Sequence, residues 1–459
     1  MAKKYRYYDP KQTLLLPPNL DDWLPDDHLA RFISDVVDVL DLSEIMKYYE
    51  SNERGGPPYD PRLMIKVRIY ADCVGKPSSR VIWKSMIEDI GFRFLGAGNF
   101  PDHRTISDFR KIHHKELADL FEQVLTLCQL AGLVKMGTIA IDGTKVKANA
   151  SIDKNYTMKS LTKKEERYKE MARKIIEEGI KIDEEEDRIF GPDNTGSSMP
   201  KGALKRIEEA KKELERLKKA EIDEYKKRLK DRKEQEEKTG KKMGGRKPQH
   251  PDEKRGRKKD GTKKEPVINT TDPDSRIMKT RKGFIQGYNP QIVVDTDTQI
   301  ILATRLTHDQ NDINQLSPML EETIKNTGRT PKCATADAGY DNEKQINQFK
   351  DEINLYIPTQ KDWKQRKAMK ELPPPRGRIP KHFTERQRRE RKLLTKKGKK
   401  IYKKRGCSVE PVIGQIKVGR GLDRLLLRGD EKGDSEWTMY CIGHNLLKLW
   451  RCAVRISGC

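Results

Sequence analysis

Two short apolar runs in this chain each end in an aspartate. Ile139-Ala140-Ile141 leads straight into Asp142, followed by Gly143 and Thr144. Lys332-Cys-Ala-Thr-Ala336 leads into Asp337, followed by Ala338-Gly339-Tyr340. A continuous apolar run bounded by turn residues reads as a buried strand. A carboxylate there is expensive to desolvate without a partner, and Gly143 lets the backbone turn sharply just beyond it. Adjacent parallel strands would bring both carboxylates to one sheet edge. A third acid, Glu410, follows a strongly basic stretch. Ser408-Val-Glu410-Pro411 reads as the opening of a helix with Val412, Ile413 and Ile416 inward. The plainer readings of the three acids are a strand-end cap, a turn carboxylate and a partner for a helix dipole.

The chemistry that calls for such a set is metal-assisted phosphoryl transfer. Magnesium prefers a few carboxylates, with water and substrate oxygens completing its shell. Two such ions ~3.5–4 Å apart stabilise both the attacking and the leaving oxygen of an in-line displacement. Two carboxylates about 4 Å apart repel by roughly 4 kcal/mol at an effective dielectric of about 20, so a cluster implies a bound cation or shared protons. Charge favours the cation. The 459 residues carry a net charge of +24, and an excess of that size points to a polyanion, nucleic acid rather than membrane. Residues 361–405 hold 20 Lys or Arg against 4 Asp or Glu. Beside a carboxylate cluster, Lys403, Lys404 and their neighbours read as contacts to a DNA backbone; the alternative is a solvated face. His103 and Arg104 stand before a helix, where they would touch phosphate or simply be solvated. Asp295, Asp297, Asp309 and Asp312 read as turn or helix-cap residues, and Tyr288 and Asn289 as packing and turn residues.

The elements that must position these groups follow from the pattern. Residues 26–132 are helical: Asp60-Pro61 starts one helix, a second covers about 79–90, and a third runs from about 107 to 131. After the strand at 137–148, charge dominates from 152 to 268. Thr162-Lys-Lys-Glu165 reads as a capping box. Ile207, Ala210, Leu214 and Leu217 follow 3-4 spacing, which predicts a helix over about 203–238. Together they suggest a helical hairpin inserted at 152–238, then a disordered basic linker at 239–268. Further strands are expected at 275–280, 287–295, 299–306, 332–337 and 353–357, with helices at 312–326, from 408, and over 435–454. That order suggests a mixed sheet flanked by helices.

No stretch is long and apolar enough to span a membrane. No apolar segment follows the N-terminal Met-Ala-Lys-Lys-Tyr-Arg, so no secretory signal is expected. The seven cysteines are scattered without Cys-x-x-Cys, so neither a disulfide framework nor a zinc site is indicated, and the expected compartment is cytoplasmic.

Four segments together resemble bacterial insertion-sequence DDE transposases: Ile141-Asp-Gly-Thr-Lys-Val-Lys-Ala-Asn149, Gly287-Tyr-Asn-Pro-Gln291, Ala336-Asp-Ala-Gly-Tyr340 and the stretch from Tyr402 to Lys417. Gly91-Phe-Arg-Phe-Leu95 and Asp102-His-Arg-Thr-Ile-Ser-Asp-Phe-Arg110 look like the helical N-terminal domain such proteins often carry. The resemblance implies an α/β fold: an RNase H-like mixed sheet over 134–151 and 269–459, preceded by an all-α domain over 1–133 and interrupted by the insertion. It implies Asp142, Asp337 and Glu410 as catalytic acids binding Mg2+, with Mn2+ as substitute. It implies double-stranded DNA, both element ends and target, as partner, and a homodimer on DNA. Tyr402, Arg405 and Lys417 would contact DNA, Lys417 on the same helix face as Glu410. The family spacing is Tyr, two residues, Arg, three residues, Glu, six residues, Lys; here four residues separate Arg405 from Glu410. A nuclease without joining activity, or a DNA-binding protein without catalysis, would share many of these features.

Overall fold

A computed structural model describes residues 19–50, 57–171, 173–174, 201–240, 247–255 and 265–457. The chain divides into two compact units, Met1–Val146 with Asn289–Cys459, and Lys147–Tyr288.

The first unit begins with helices at Leu29–Val39, Ser43–Glu50, Pro61–Cys73, Ser79–Glu88, Ile90–Gly96, His103–Ile112 and His114–Leu130. Asp60 caps the third as expected, accepting from the Arg62 amide at 2.7 Å, with Pro61 at the first helical position. The single helix expected over 79–90 stops at Glu88, because Asp89 caps a new helix by accepting from the amides of Gly91 and Phe92. The helix expected from 107 starts four residues earlier. The Asp102 carboxylate takes the Arg104 and Thr105 amides at 2.6 and 2.8 Å. It then breaks at His113, whose buried ring packs against Tyr48, Tyr49 and Phe109.

Elements of the sheet and the helices after it are numbered along the chain. The strands are β1 (Thr138–Gly143), β2 (Gln291–Asp295), β3 (Ile301–Arg305), β4 (Cys333–Thr335) and β5 (Asn354–Tyr356); the helices are α1 (Leu316–Thr327), α2 (Glu343–Phe349), α3 (Asp362–Glu371), α4 (Glu385–Leu394), α5 (Lys396–Gly414) and α6 (Asp430–Ser457). The sheet order is β5-β4-β1-β2-β3. β1 runs antiparallel to β2 and parallel to β4; β2–β3 is antiparallel and β4–β5 parallel. This is a mixed sheet with packed helices, the RNase H-like class that the resemblance implies. Its centre is apolar: Ile139, Ala140, Ile141, Val293, Val294, Ile301 and Leu302 are buried. The segment 287–295, expected as one strand, is divided at Asn289-Pro290, because Pro290 has no amide to give a ladder; its carbonyl instead accepts from the Thr144 amide at 2.9 Å.

α5 is the largest departure from expectation. It begins at Lys396, capped by Thr395, and Pro411 lies inside it rather than at its first turn. A proline there cannot donate to the carbonyl four residues back. That carbonyl, of Cys407, accepts instead from the Gln299 side-chain amide at 3.1 Å. A π-turn over Gln415–Gly419 closes the helix. α6 buries Trp437, Met439, Tyr440, Ile442 and Leu446, leaves the apolar Leu447 and Trp450 half-buried, and packs on the helix His114–Leu130.

In the second unit, residues 158–171 and Lys201–Thr239 are helical. Leu161, Ile207, Ala210, Leu214 and Ile268 form one buried cluster. The first of these helices starts ahead of Thr162: the Thr157 hydroxyl accepts from the Ser160 amide at 3.3 Å. Thr162 instead donates to the Met158 carbonyl, and Glu165 pairs with Lys169 and Lys211, so no capping box forms there. Arg276–Thr280 and Gly283–Tyr288 pair as an antiparallel hairpin. Within the stretch expected as a linker, Pro251–Lys254 makes one helical turn, while 241–246 and 256–264 lie outside the described residues. So do residues 1–18, 172 and 175–200, which include part of the expected hairpin. Among the described residues no helix is long and apolar enough to cross a membrane.

Candidate active site

β1 and β4 pair in parallel as far as Ala140↔Thr335. Two residues further on each strand stand Asp142 and Asp337, so the register carries both acids to the same rim. Asp142 lies within β1, opposite Ile292 of β2. Asp337 is the cap of a short turn, accepting from the Gly339 amide at 2.7 Å. Burial pushes the Asp142 carboxyl up to about 7; Arg405 opposes the shift, and Asp337 and Asp312 reinforce it. Burial also raises Asp337, countered by the Gly339 amide and Arg405 and reinforced by Asp312 and Asp362. Each carboxylate therefore feels the others through a poorly hydrated space.

Arg405 is the hub. Its side chain is 5% exposed, and its guanidinium donates to Asp142 Oδ2 at 2.9 Å, Glu410 Oε1 at 3.2 Å and Asp362 Oδ1 at 3.4 Å. The extra residue between Arg405 and Glu410 does not part them. Tyr402 donates to Asp362 at 2.6 Å. Arg366 bridges Asp362 and Glu410 at 2.7 and 2.9 Å. Asp142 and Glu410, 268 residues apart in sequence, thus share one guanidinium. Glu410 itself lies in the last two turns of α5, not in a first turn, and its side chain is 43% exposed.

Lys417 sits in the π-turn, and its ammonium donates to Thr144 Oγ1 at 3.1 Å and the Lys145 carbonyl at 2.7 Å, just beyond Asp142. Lys404 pairs with Asp297 at 2.6 Å, and Lys403 is exposed. Arg104 is exposed on the N-terminal helix His103–Ile112 and has no hydrogen bond to the acids.

Asp312, expected as a turn or helix cap, does neither with its side chain. Its Oδ1 accepts from Asn289 Nδ2 at 2.7 Å and Gln291 Nε2 at 2.8 Å, and α1 starts at Leu316 with Gln315 as a cap that makes no side-chain bond. In the sequence Asn289 reads as a packing or turn residue and Gln291 as part of a strand and of the Gly287–Gln291 motif, neither with a sign of its contact to Asp312. Asp362 and Arg366 were submerged in the basic run. Asp295 does anchor a turn, accepting from the Lys135 and Met136 amides at 2.9 Å.

Among the described residues no three carboxylate, imidazole or thiolate side chains converge closely enough to enclose an ion, and Glu410 is held by Arg405 and Arg366. Asp142 and Asp337 are nonetheless hard oxygen donors of the kind magnesium takes one or two of, keeping several waters. Asp337 makes no ion pair within the described residues. The donor set fits a hydrated divalent ion held by two carboxylates.

Residues 18–112 match the family model described as Transposase domain (DUF772), and residues 255–446 match the one described as Transposase DDE domain. The second match contains Asp312, Asp337, Arg405 and Glu410; Asp142 lies before it. No curated protein and no solved structure matches the chain. With a helical N-terminal region and an RNase H-like sheet each matched to a transposase domain, the chain belongs to the insertion-sequence DDE transposases.

Proposed function

We propose that this chain binds the ends of its own mobile element, hydrolyses one strand to free a 3′-hydroxyl, and directs that hydroxyl at target DNA. The observation that carries the reading is the meeting of Asp142 and Asp337 on neighbouring parallel strands, with Arg405 tying Asp142 to Glu410. Asp142 and Asp337 would hold Mg2+, or Mn2+ in its place, and Glu410 would join them on leaving Arg366. The ion would supply Lewis-acid stabilisation of the charge that builds on the phosphodiester oxygens. The attacking group is water and then the DNA 3′-hydroxyl, so no side chain becomes covalently attached. Arg405 offsets part of the cost of ionising the buried Asp142 and would turn toward a phosphate as the duplex enters. Lys417, fixed on the turn after Asp142, would hold a terminal phosphate next to the acids. Tyr402, Lys403, Lys404 and, from the N-terminal helices, Arg104 would contact the DNA backbone. Joining two ends calls for two copies of the chain on DNA.

The test is cleavage and strand transfer on a duplex taken from the DNA flanking the gene, with a supercoiled plasmid as target. Wild type should cut and join with Mg2+ or Mn2+. Asp142→Asn should still bind the duplex and do neither. Cutting without a joined product would assign a nuclease; no cutting with any divalent ion would assign a DNA-binding protein without catalysis.

A further inference from the structure

Asp312 is held as if for a task. Gln291, which donates to its Oδ1, also accepts from the Tyr340 hydroxyl, so two buried side chains lock one oxygen of the carboxylate. The chain makes room for it on both sides. A Cβ on Gly143, the residue after Asp142, would overlap Gln291 Nε2 and lie 2.9 Å from Asp312 Oδ1. A Cβ on Gly339 would lie 2.9 Å from Asp337 Oδ1 and 3.4 Å from Asp312 Oδ2. Asp312 therefore fills the gap between the turns that follow the two strand-end acids, its second oxygen on the Asp337 side. Unlike Asp142 and Glu410, it has no ion pair among the described residues. Next to it the Asn289 side chain is fully buried, and its Oδ1 lacks any hydrogen-bond partner. The second Asp312 oxygen and the orphaned Asn289 amide oxygen are acceptors that the hydrogen-bonded pair leaves open, and the waters of a hydrated cation are suitable donors.

We infer that Asp312 is a fourth acid of this site, a positioning residue that with Asn289 orients the water shell of the divalent ion held by Asp142 and Asp337. The inference rests on the reading of Asp142 and Asp337 as the ion's ligands. It explains how the site holds charge while Glu410 is engaged by two arginines. Lys145 belongs to the same picture: its ammonium nitrogen is buried without a hydrogen-bond partner, and the nearby acids Asp312, Asp309 and Asp337 favour its charge against the cost of burial.

The experiment is Mn2+ binding to the full chain without DNA, read by electron paramagnetic resonance, with melting temperatures recorded alongside. Asp142→Asn should abolish tight binding. Asp312→Asn should weaken it about 10- to 100-fold, the usual cost of losing an outer partner of a metal ligand, with an unchanged melting temperature in the absence of ion. Asp312→Glu, which keeps the charge, should recover most of the affinity. Wild-type affinity in a folded Asp312→Asn overturns the inference and leaves the Asp142–Asp337 site standing. Wild-type affinity in Asp142→Asn overturns both. Should Asp312→Asn fail to fold, Lys145→Gln reads the same place with the opposite sign: removing a buried like charge should tighten Mn2+ binding several-fold, a gain that misfolding cannot mimic, and unchanged affinity overturns the inference.

Discussion

Arg405→Met tests the hub directly. Methionine keeps most of the side-chain volume and removes the guanidinium, so packing changes little and the ionic contacts vanish. Three carboxylates lose a partner, but unequally. Asp142 and Arg405 have side chains 16% and 5% exposed, and breaking a buried pair costs about 3–5 kcal/mol, since the survivor is left charged and unpaired. Asp362 and Glu410 are 32% and 43% exposed, and water covers most of their loss, so each adds about 0–1 kcal/mol. Arg366 touches the same two outer acids but not Asp142, with its own side chain 53% exposed. Arg366→Met should therefore cost at most about 1 kcal/mol. The difference between the two variants is about 3 kcal/mol, or roughly 6–12 °C in melting temperature for a domain-sized transition. Intrinsic fluorescence of the fully buried Trp437, followed on heating without divalent ions, reads it. Equal melting temperatures for the two variants would show that Arg405 does not neutralise Asp142, and the electrostatic account of the site would fall with it.

Other outcomes follow from the same coordinates. His444 is buried, its Nε2 against the Gln299 carbonyl at 2.8 Å and its Nδ1 against Arg420 at 3.1 Å, and burial with the Arg420 charge holds its pKa down to about 3. The unfolded chain, with an imidazole near 6.5, takes up this proton first, so the contribution is full above about 6.5 and lost as pH falls toward 3, at up to about 1.4 kcal/mol per pH unit; His444→Gln should flatten that part of the stability profile measured by denaturant titration. Gly398→Ala should destabilise by about 1–3 kcal/mol, because its Cβ would run into the Lys392 and Leu393 backbone, whereas Ala at Gly414, where no neighbour lies within 4 Å, should be neutral or stabilising in the same melt. Lys403→Ala should lower the slope of log K for duplex binding against log salt by ~0.9; an unchanged slope would remove Lys403 from the DNA contacts.

What could be read from sequence was whatever depends on neighbours along the chain. Asp60-Pro61, the apolar runs before Asp142 and Asp337, and the α6 stripe around Trp437 all state their structure locally. Misreadings arose where a distant partner decided. Ser408-Val-Glu-Pro411 carries every local sign of a helix start, yet the helix is already three turns old there, because Gln299 rescues the carbonyl that Pro411 strands. Asp312 resembles a cap until Asn289 and Gln291 reach it from the start of β2. Tyr402 and Arg405 could be named from a motif, but that Arg405 would lie between Asp142 and Glu410 depends on a contact spanning 263 residues. Thr162 matched a capping box that forms only if the helix starts there, and Thr157 starts it sooner.

The central position of β1 bears on how the molecule is made. Ile139 meets its antiparallel neighbour at Asp295 and its parallel neighbour at Ala334, so both edges of the strand wait for residues more than 150 positions downstream. At ~5–20 residues per second of synthesis, that is roughly 8–30 seconds during which Ile139-Ala-Ile141 has left the ribosome with no partner strand. The intervening unit, Lys147–Tyr288, has its own buried cluster and is complete in sequence before either partner strand is made. Assembly of the sheet is then a late, long-range closure around an older strand, and nascent chains stalled before residue 291 should recruit holdase chaperones through that one exposed apolar run.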